Sequence, residues 1–387
     1  MIVVGLGAMG SATARQLAMR GASVIAFDQY HPPHEFGSTH GDTRITRLAI
    51  GEGTQYVPFV RRSHELWREL ELETGAQLLT QCGALILGDR DDPFLRETRA
   101  AAVQYGIEHE DLSHEDVVDR YPMFAVDREL AAYYEPEAGY LRPEAAVRVQ
   151  LELARAAGAR LHLGECVNRW TASAGGVIVH TDAGTYGADR LVLCAGPWIA
   201  SLFADQRTFA VYRQLLYWFA IRERYEQLRE MPAFVWLFGG EHRDFEHFAG
   251  IYGLPAIDGP AGGIKLATER YERTTTADGH QHPATDAETE EMYERFVRPH
   301  LPWIGPGAVR TVSCLYTCTR NSEFVIDRHP EHESVVIVSA CSGHGFKHSP
   351  AIGEAVSQWI TGQAPEIDLS PFSLANAQAD GGALTLG

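Results

Sequence analysis

Residues 1–28 read MIVVGLGAMGSATARQLAMRGASVIAFD, and this stretch decides the fold. The apolar run 2–4 predicts a short buried strand, 8–20 predicts a helix, and 23–27 predicts a second strand that ends at Asp28. A buried parallel strand usually has about five or six residues. We therefore expect the natural chain to begin a few residues further upstream.

The turn between the first strand and the helix is Gly5-Leu6-Gly7-Ala8-Met9-Gly10. In a dinucleotide-binding turn the first glycine makes the tight bend, the second lets the backbone approach a pyrophosphate, and the third lets helix and strand pack closely. The helix N-terminus offers free N–H groups to phosphates, and Asp28 is placed to bind a ribose. Strand, turn, helix, strand and acid in this order predict dinucleotide binding. A plain glycine-rich turn is the alternative.

The amino-acid composition limits the classes of protein to which this chain can belong. A length of 387 residues suits two domains, and 45% hydrophobic with 22% charged residues is typical of a globular protein. No apolar run approaches the roughly 18 residues of a membrane span. A net charge of −18 argues against nucleic acid or an anionic membrane as a partner. Six cysteines without framework spacing suggest a reducing compartment. We expect a cytoplasmic enzyme.

The order of the predicted elements indicates a discontinuous architecture. After the first unit the chain leaves at about residue 85, returns at about residue 145 and leaves again near residue 212. We therefore predict an α/β fold with two domains, a Rossmann-like cofactor domain and a mixed-sheet substrate domain. The cofactor domain takes residues 1–85, 146–212 and 320–387, and the substrate domain takes 86–145 and 213–319. The small, polar tail 377–387 is predicted to be disordered.

A second glycine-bearing loop, Ser342–His348, follows the buried strand 335–338 and precedes a predicted helix at 350–361. A loop that feeds a helix N-terminus stabilises anions, and two such loops in one chain suit a large cofactor that is contacted at both ends. A simple strand-to-helix turn is the alternative, although such a turn needs neither His344 nor Lys347.

The segment Gly37–Arg47, GSTHGDTRITR, carries two arginines three residues apart. If the segment were a helical turn, Arg44 and Arg47 would share one face. Arginine is well suited to bind a carboxylate or a phosphate in a bidentate manner. The alternative is a solvated pair of charges on a loop.

Several of these motifs occur together in one known family. GSTHGDTRITR followed by GEGTQYVPFVRRSHELW, CLYTCT followed by FVIDRHP, and SGHGFK resemble the monomeric sarcosine oxidase and N-methyltryptophan oxidase family. These proteins are FAD-dependent amine oxidases of the D-amino-acid-oxidase-like superfamily. The similarity runs from Val3 to Phe372, with the motifs in the order of the family.

The resemblance implies FAD attached covalently through a cysteine thioether, and Cys314 matches the attachment motif. The residues alone do not choose between Cys314 and Cys318, which would face the same side of a strand. The spacing of these two cysteines with His344 and His348 also superficially resembles a zinc site, but the family context favours no metal. The predicted cofactor-binding residues are Gly5, Gly7, Ala8, Met9, Gly10, Asp28, Gln29, Ser38, Thr39, Thr43, Val167, Gly196, Trp198, Cys314, Gly343, Gly345, Phe346 and Lys347.

The resemblance also implies roles around the flavin ring. His40, Arg44 and Lys265 fall at catalytic positions, and Lys265 matches the lysine that activates oxygen, where a fixed ammonium would stabilise superoxide. Arg47 and Lys347 match a pair that binds the substrate carboxylate. The predicted substrate pocket also includes Tyr252, Tyr316 and His344, and core packing is the alternative role for the two tyrosines.

One residue departs from the pattern. Close relatives carry histidine four residues after the oxygen-activating lysine, whereas this chain carries Glu269. A carboxylate at this position would change the charge of the substrate pocket, or it would point to solvent. We include Glu269 among the substrate-binding residues, and its presence puts sarcosine itself in doubt as the substrate.

The implied reaction oxidises the C–N bond of a secondary or N-methylated amino acid. Hydride passes to the flavin, water hydrolyses the resulting imine, and dioxygen reoxidises the flavin with release of hydrogen peroxide. The expected partners are a small amino-acid-like amine and dioxygen, and the expected state is a monomer. The alternatives are a dehydrogenase with another electron acceptor, an oxidase of cyclic or glycated amino acids, and a non-catalytic flavoprotein.

Overall fold

The computed structural model describes residues 1–203, 207–238, 250–279 and 282–378. The strands in these ranges are β1 (Ile2–Val4), β2 (Ile25–Asp28), β3 (Arg44–Thr46), β4 (Leu79–Thr80), β5 (Ala84–Asp89), β6 (Glu110–Leu112), β7 (Leu130–Glu135), β8 (Gly139–Leu141), β9 (Arg160–Leu163), β10 (Val167–Ser173), β11 (Gly176–Thr181), β12 (Thr185–Ala188), β13 (Leu191–Leu193), β14 (Ala210–Ile221), β15 (Ala233–Leu237), β16 (Gly250–Gly253), β17 (Ile264–Ala267), β18 (Thr274–Thr275), β19 (Ile304–Cys318), β20 (Val325–His329) and β21 (His332–Ser339).

The α-helices in the same ranges are α1 (Ala8–Met19), α2 (Val57–Thr74), α3 (Pro93–Tyr105), α4 (His114–Arg120), α5 (Pro143–Ala156), α6 (Ile199–Leu202), α7 (Tyr225–Glu230), α8 (Asp286–Met292), α9 (Arg298–His300), α10 (Ser349–Ile360) and α11 (Leu374–Gln378). The tail predicted to be disordered lies outside the described residues from residue 379 onward. Its first two residues, Ala377 and Gln378, form the end of α11.

The first sheet has the strand order β20-β21-β13-β1-β2-β9, with β1 parallel to both of its neighbours. Strand residues alternate between its two faces. Ile2 and Val4 pack in a cluster with Val177 and Val179 of β11, whereas Val3 packs in the helix-side cluster that contains residues of α1, α5 and α10. The sheet is therefore buried on both sides, by helices on one face and by the β10–β12 meander on the other.

The first turn shows why glycine is needed after β1. Gly5 has φ of 86°, in the left-handed region that favours glycine, and a Cβ there would lie 2.4 Å from the Cys194 carbonyl oxygen. A Cβ on Gly10 would lie 1.7 Å from the Gly5 carbonyl oxygen. The start of α1 therefore packs directly on the turn that precedes it.

The second sheet runs β18-β14-β17-β16-β15-β5-β7-β6, and β19 also pairs with β14. One face packs on a large apolar core that contains Leu215, Tyr217 and Phe219 of β14. The alternate residues Leu216 and Trp218 point to the opposite face, where they form a small cluster with Ala267 and Cys314. We call this opposite face the site face, because it carries the residues described below.

The α/β class is confirmed. A 3-10 turn, Thr54–Tyr56, leads into α2. Strand β5 belongs to the second sheet, so the predicted domain boundary at residue 85 falls inside a strand. The interpretation of 44–47 as a helical turn is wrong, because Arg44–Thr46 is a strand paired with β8. Arg44 lies on this strand and Arg47 comes directly after it, and residues three apart in extended chain point to opposite sides, so the two arginines do not share one face.

All six cysteines lie within the described residues and are free thiols. Among the described residues, none of the helices combines the length and the hydropathy that a membrane crossing requires.

Candidate active site

A cavity of about 630 Å³ has residues of both sheets in its wall. It is walled by the turn after β1, the segment 37–47, the loop after β21 and the site face of the second sheet. The predicted site residues on its wall are Gly5, Gly7, Ala8, Met9, Asp28, Gln29, Ser38, Thr39, Thr43, Arg44, Arg47, Val167, Gly196, Trp198, Tyr252, Glu269, Tyr316, Gly343, His344, Gly345, Phe346 and Lys347. Four further predicted site residues lie behind the wall and do not line the cavity: Gly10, His40, Lys265 and Cys314.

One end of the cavity meets the N-terminus of α1. Gly7 caps this helix without a side-chain hydrogen bond, and a Cβ on Gly7 would have only the Thr39 hydroxyl within 4 Å, at 3.4 Å. The Asp28 carboxylate accepts hydrogen bonds from the Leu6 and Tyr30 N–H groups at 2.8 and 2.9 Å. These bonds fix Asp28 at the cavity wall, and each of its oxygens keeps a further lone pair.

This end fits the diphosphate and ribose of FAD. The glycine at position 7 leaves open space in front of a helix N-terminus, which is the arrangement that binds a pyrophosphate. The volume falls in the range of roughly 300–1,000 Å³ that is usual for ligand pockets. The turn, the helix and Asp28 would hold the cofactor at this end.

Lys265 is buried on the site face, with 3% of its surface exposed. Its Nζ donates hydrogen bonds to the carbonyl oxygens of Gly41 and Thr43 at 2.6 and 2.7 Å. Burial, reinforced by the nearby Arg44 guanidinium, lowers the pKa of Lys265 well below its ordinary value. The two hydrogen bonds therefore hold the Lys265 amino group at a fixed point under the loop 41–43.

Arg44 stands between that loop and Cys314. Its Nη2 donates to the Ser38 carbonyl oxygen at 2.9 Å and lies 3.6 Å from the Cys314 Sγ. Burial raises the pKa of the Cys314 thiol, and Arg44 opposes that rise. His40 lies beside Arg44, and burial together with the charges of Arg44 and Lys265 lowers its pKa to about 3, so the imidazole is neutral.

Arg47 and Lys347 converge, although they lie 300 residues apart in the numbering, and a carboxylate stands between them. The Arg47 Nη2 lies 2.6 Å from the Glu52 Oε2, and the Lys347 Nζ lies 3.9 Å from the Glu52 Oε1. Burial alone would raise the pKa of Glu52, but the two cations hold it well below its ordinary value. Burial and Arg47 lower the pKa of Lys347 to about 8.

Glu269 lines the same part of the cavity. Its Oε2 accepts a hydrogen bond from the Tyr271 hydroxyl at 3.0 Å. Burial raises the pKa of Glu269 to about 7, and Glu52 adds to the rise while Lys347 opposes it. Glu269 is thus a half-buried residue of the cavity wall.

The other predicted pocket residues are also on the wall. The imidazole of His344 stacks on Phe324 with centroids 4.6 Å apart, and burial lowers its pKa to about 4. Tyr252 packs in the site-face cluster, and burial raises its pKa above the ordinary value. Both tyrosines, Tyr252 and Tyr316, border the cavity as well as packing against neighbours.

Sequence reasoning missed the residues that hold the predicted ones in place. Glu52 occupies the space between the two cations. The Glu144 carboxylate accepts the N–H groups of Gly41 and Asp42 at 2.6 and 3.0 Å, which fixes the loop over Lys265. Glu52 comes only five residues after Arg47, so the spacing of opposite charges in the sequence could have indicated this ion pair. Glu144 is 103 residues from Gly41, so no local sequence pattern could have indicated its contact with the loop.

Within the described ranges, no group of three or more His, Cys, Asp or Glu side chains is arranged to hold a metal ion. Cys318 packs instead with Tyr212 and Tyr271, and His348 packs against Tyr56 and Phe324.

Comparison with known proteins agrees with this geometry. The model of the FAD dependent oxidoreductase family matches residues 1–359. The chain is 37% identical to monomeric sarcosine oxidase of Streptomyces avermitilis, over 92% of each chain. It is 34% identical to N-methyl-L-tryptophan oxidase of Yersinia pestis, over 97% of this chain and 98% of the relative. Among solved structures, the amino acid oxidase NikD superposes with a TM-score of 0.83 at 24% identity, over 96% of each chain.

Proposed function

This chain belongs to the FAD dependent oxidoreductase family, and from that premise we propose that it oxidises the C–N bond of a secondary or N-methylated amino acid with dioxygen as acceptor. Its relatives at 34–37% identity are named as sarcosine and N-methyl-L-tryptophan oxidases, and they are matched over nearly their full length. The resemblance that the sequence motifs suggested is confirmed at the level of the family.

One structural observation supports the proposal most directly. Arg47 and Lys347 come from distant segments, yet both reach the carboxylate of Glu52, at 2.6 and 3.9 Å, on the wall of the cofactor cavity. Two cations that meet in a buried place repel each other unless an anion lies between them. This point of the cavity is therefore suited to a carboxylate, and the carboxylate of an amino-acid substrate can share it with Glu52.

The cofactor is FAD, and we propose that its attachment is covalent through Cys314. The Arg44 guanidinium lies 3.6 Å from the Cys314 Sγ, and a cation favours the thiolate that such an attachment needs. Cys318 has no comparable cation among its described neighbours, where the nearby groups are Cys341 and Glu269. When bound, FAD supplies the acceptor for hydride and the site of reoxidation.

Each group of residues then has a distinct task. The cation pair Arg47 and Lys347 orients the substrate, and proximity of that kind contributes a large share of enzymatic rate. Lys265 holds positive charge at a fixed point for the reduction of oxygen, where an anion develops. The charged Arg44 lines the cavity, and the neutral imidazole of His40 lies behind the wall.

The test is a panel of amines read as peroxide release under air. It contains sarcosine, N-methyl aromatic amino acids, proline, pipecolate and a glycated amino acid, each with its primary amine as control. We expect peroxide with at least one secondary amino acid, and anaerobic bleaching of the flavin by the same compound. Bleaching without peroxide in air would identify a dehydrogenase, and no bleaching by any amine would refute the proposal.

A further inference from the structure

Glu269 lies in the part of the cavity where the proposed carboxylate site and the second sheet meet. Glu269 follows β17 after one residue, Thr268, and the backbone of the next residue, Arg270, is held on both sides by Gln214. The Gln214 side chain accepts the Arg270 N–H at 2.8 Å and donates to the Arg270 carbonyl oxygen at 2.6 Å. The backbone that follows Glu269 is therefore tied to β14, the strand that carries Gln214.

The cation adjacent in sequence does not neutralise Glu269. The Arg270 guanidinium turns away to Glu288 and Glu291, at 3.8 and 3.9 Å. The titratable or charged groups that face Glu269 from the surrounding elements are Tyr252 on β16, Tyr271 after β17, Tyr316 and Cys318 on β19, Glu52 before α2 and Lys347 before α10. The Tyr271 hydroxyl donates a hydrogen bond to Glu269 at 3.0 Å.

The charges at this end of the cavity can be counted. Arg47 and Lys347 are positive, and Glu52 is negative because both cations contact it. If Glu269 is also negative, the four side chains sum to zero. An incoming amino acid with ammonium and carboxylate keeps that sum at zero, whereas the same molecule without its ammonium proton leaves one uncompensated negative charge.

Oxidation of the C–N bond requires the amino acid without its ammonium proton, because an ammonium has no lone pair to stabilise the developing iminium. The charge is balanced again if the proton moves from the substrate to a carboxylate in the same cavity. We propose that Glu269 is the acceptor of the proton that the substrate ammonium loses before its C–N bond is oxidised. The N–H bond breaks, an O–H bond forms on Glu269, and the electron pair of the N–H bond remains on nitrogen.

This inference rests on the proposed function, and it assigns a step to a carboxylate on the cavity wall. The pKa of Glu269, about 7 through burial, is close to the range in which a proton acceptor works best near neutral pH. After the reaction the proton leaves to water with the product, so no other reactant is needed.

The first test measures protons rather than activity, on the flavin-loaded enzyme. The probes are 2-aminoisobutyrate, whose α-carbon has no hydrogen to lose, and pivalate, which replaces the ammonium with a methyl group of similar size. Calorimetry in two buffers of different ionisation enthalpy gives the protons exchanged on binding near pH 7. At a pH equal to its pKa, Glu269 carries about half a proton before binding.

The number of protons exchanged on binding should then have opposite signs for the two probes. Binding of 2-aminoisobutyrate should release about half a proton, since its ammonium proton fills Glu269, and binding of pivalate should take up about half a proton. In Glu269→Gln both exchanges should fall close to zero, and Glu269→Asp should restore their signs. Proton exchange that is unchanged in Glu269→Gln overturns the inference.

The second test follows anaerobic flavin reduction by a secondary amino acid across pH. In Glu269→Gln we expect reduction near pH 7 to fall on the order of 10²-fold, with the loss shrinking as pH approaches the ordinary amine pKa of about 10. An equal loss at every pH, or a loss only for substrates with a second positive charge, would overturn the proton-acceptor role. Failure of any amine to reduce the wild-type flavin would instead refute the proposed function.

Discussion

Lys265 and Trp218 are directly paired across the antiparallel strands β17 and β14, and the Lys265 Nζ lies 5.5 Å from the centroid of the indole ring. Arg310 is paired with the same tryptophan across β14 and β19, and its guanidinium carbon lies 4.4 Å from the centroid. Directly opposed residues point to one face of a sheet. A single indole on the site face therefore has a cation on each neighbouring strand.

The first prediction concerns Lys265 itself. Lys265→Met should slow reoxidation of the reduced flavin by oxygen about 10²–10³-fold, which is the usual effect of losing one preorganised electrostatic contact, and should slow reduction by substrate much less. Stopped-flow absorbance separates the two half-reactions. Lys347→Met is the matched control, because it removes another buried ammonium and should affect reduction instead. Equal effects on both half-reactions would assign Lys265 a structural role.

The second prediction concerns the indole. A cation over an aromatic face gains about 0.5–2 kcal/mol, so Trp218→Leu should lower the already depressed pKa of Lys265 further. Reoxidation depends on the ammonium form, and its decline with rising pH should therefore begin at a lower pH than in the wild type. Trp218→Phe keeps a ring and should shift the profile less. An unchanged profile in Trp218→Leu would contradict the assignment.

The third prediction concerns Arg310, which contacts the Asp42 carboxylate at 2.7 Å and so ties β19 to the loop that holds Lys265. Arg310→Gln should loosen this loop and slow reoxidation several-fold, and Arg310→Lys should restore most of the rate. The pair is partly exposed, so its contribution to the free energy of unfolding should be small, on the order of 0–1 kcal/mol. A large loss of thermal stability with no kinetic effect would contradict this role.

The fourth prediction concerns flavin attachment. Acid-precipitated wild-type protein and Cys318→Ser should stay yellow, whereas Cys314→Ser should release its flavin into the supernatant. Removing the Arg44 cation should raise the pKa of the Cys314 thiol further. Arg44→Met should therefore form the bond more slowly near neutral pH and recover as pH rises, because more thiolate is then present. A flavin-bearing peptide that contains Cys318 would contradict the assignment.

The sequence predicted the parts of the fold that depend on local patterns. The strand–turn–helix–strand unit of residues 1–28 was predictable because its glycines are needed for local steric reasons. At Gly5 and Gly10 a Cβ would collide with neighbouring backbone. The helical interpretation of 44–47 failed because two arginines three apart also fit a strand, and only the pairing of Arg44–Thr46 with Gly139–Leu141 decides between them. That partner is almost a hundred residues away.

The composition of the site was partly predictable for the same reason. Motifs indicated Lys265, Arg44, Arg47 and Lys347, but not what neutralises them. The contact of Arg310 with Asp42 and the bonds of Glu144 to the loop 41–42 join segments that are far apart in the chain. Such partners depend on tertiary packing, which no pattern within a single segment records.

The last prediction concerns the carboxylate site. Arg47→Ala or Lys347→Met should weaken binding of an amino-acid substrate by about 1.5–3 kcal/mol, the usual contribution of a charged hydrogen bond. Decarboxylated analogues should be little affected, since they have no group for the two cations. Glu52→Gln should do the opposite and strengthen binding of the amino acid, because Arg47, 2.6 Å from Glu52, would then face the substrate carboxylate alone. Dissociation constants from anaerobic titration of the flavin spectrum measure all three variants. If the acid and its decarboxylated analogue lose affinity equally, or if Glu52→Gln weakens both, these cations do not bind the substrate carboxylate, and the proposed amino-acid class of substrate is wrong.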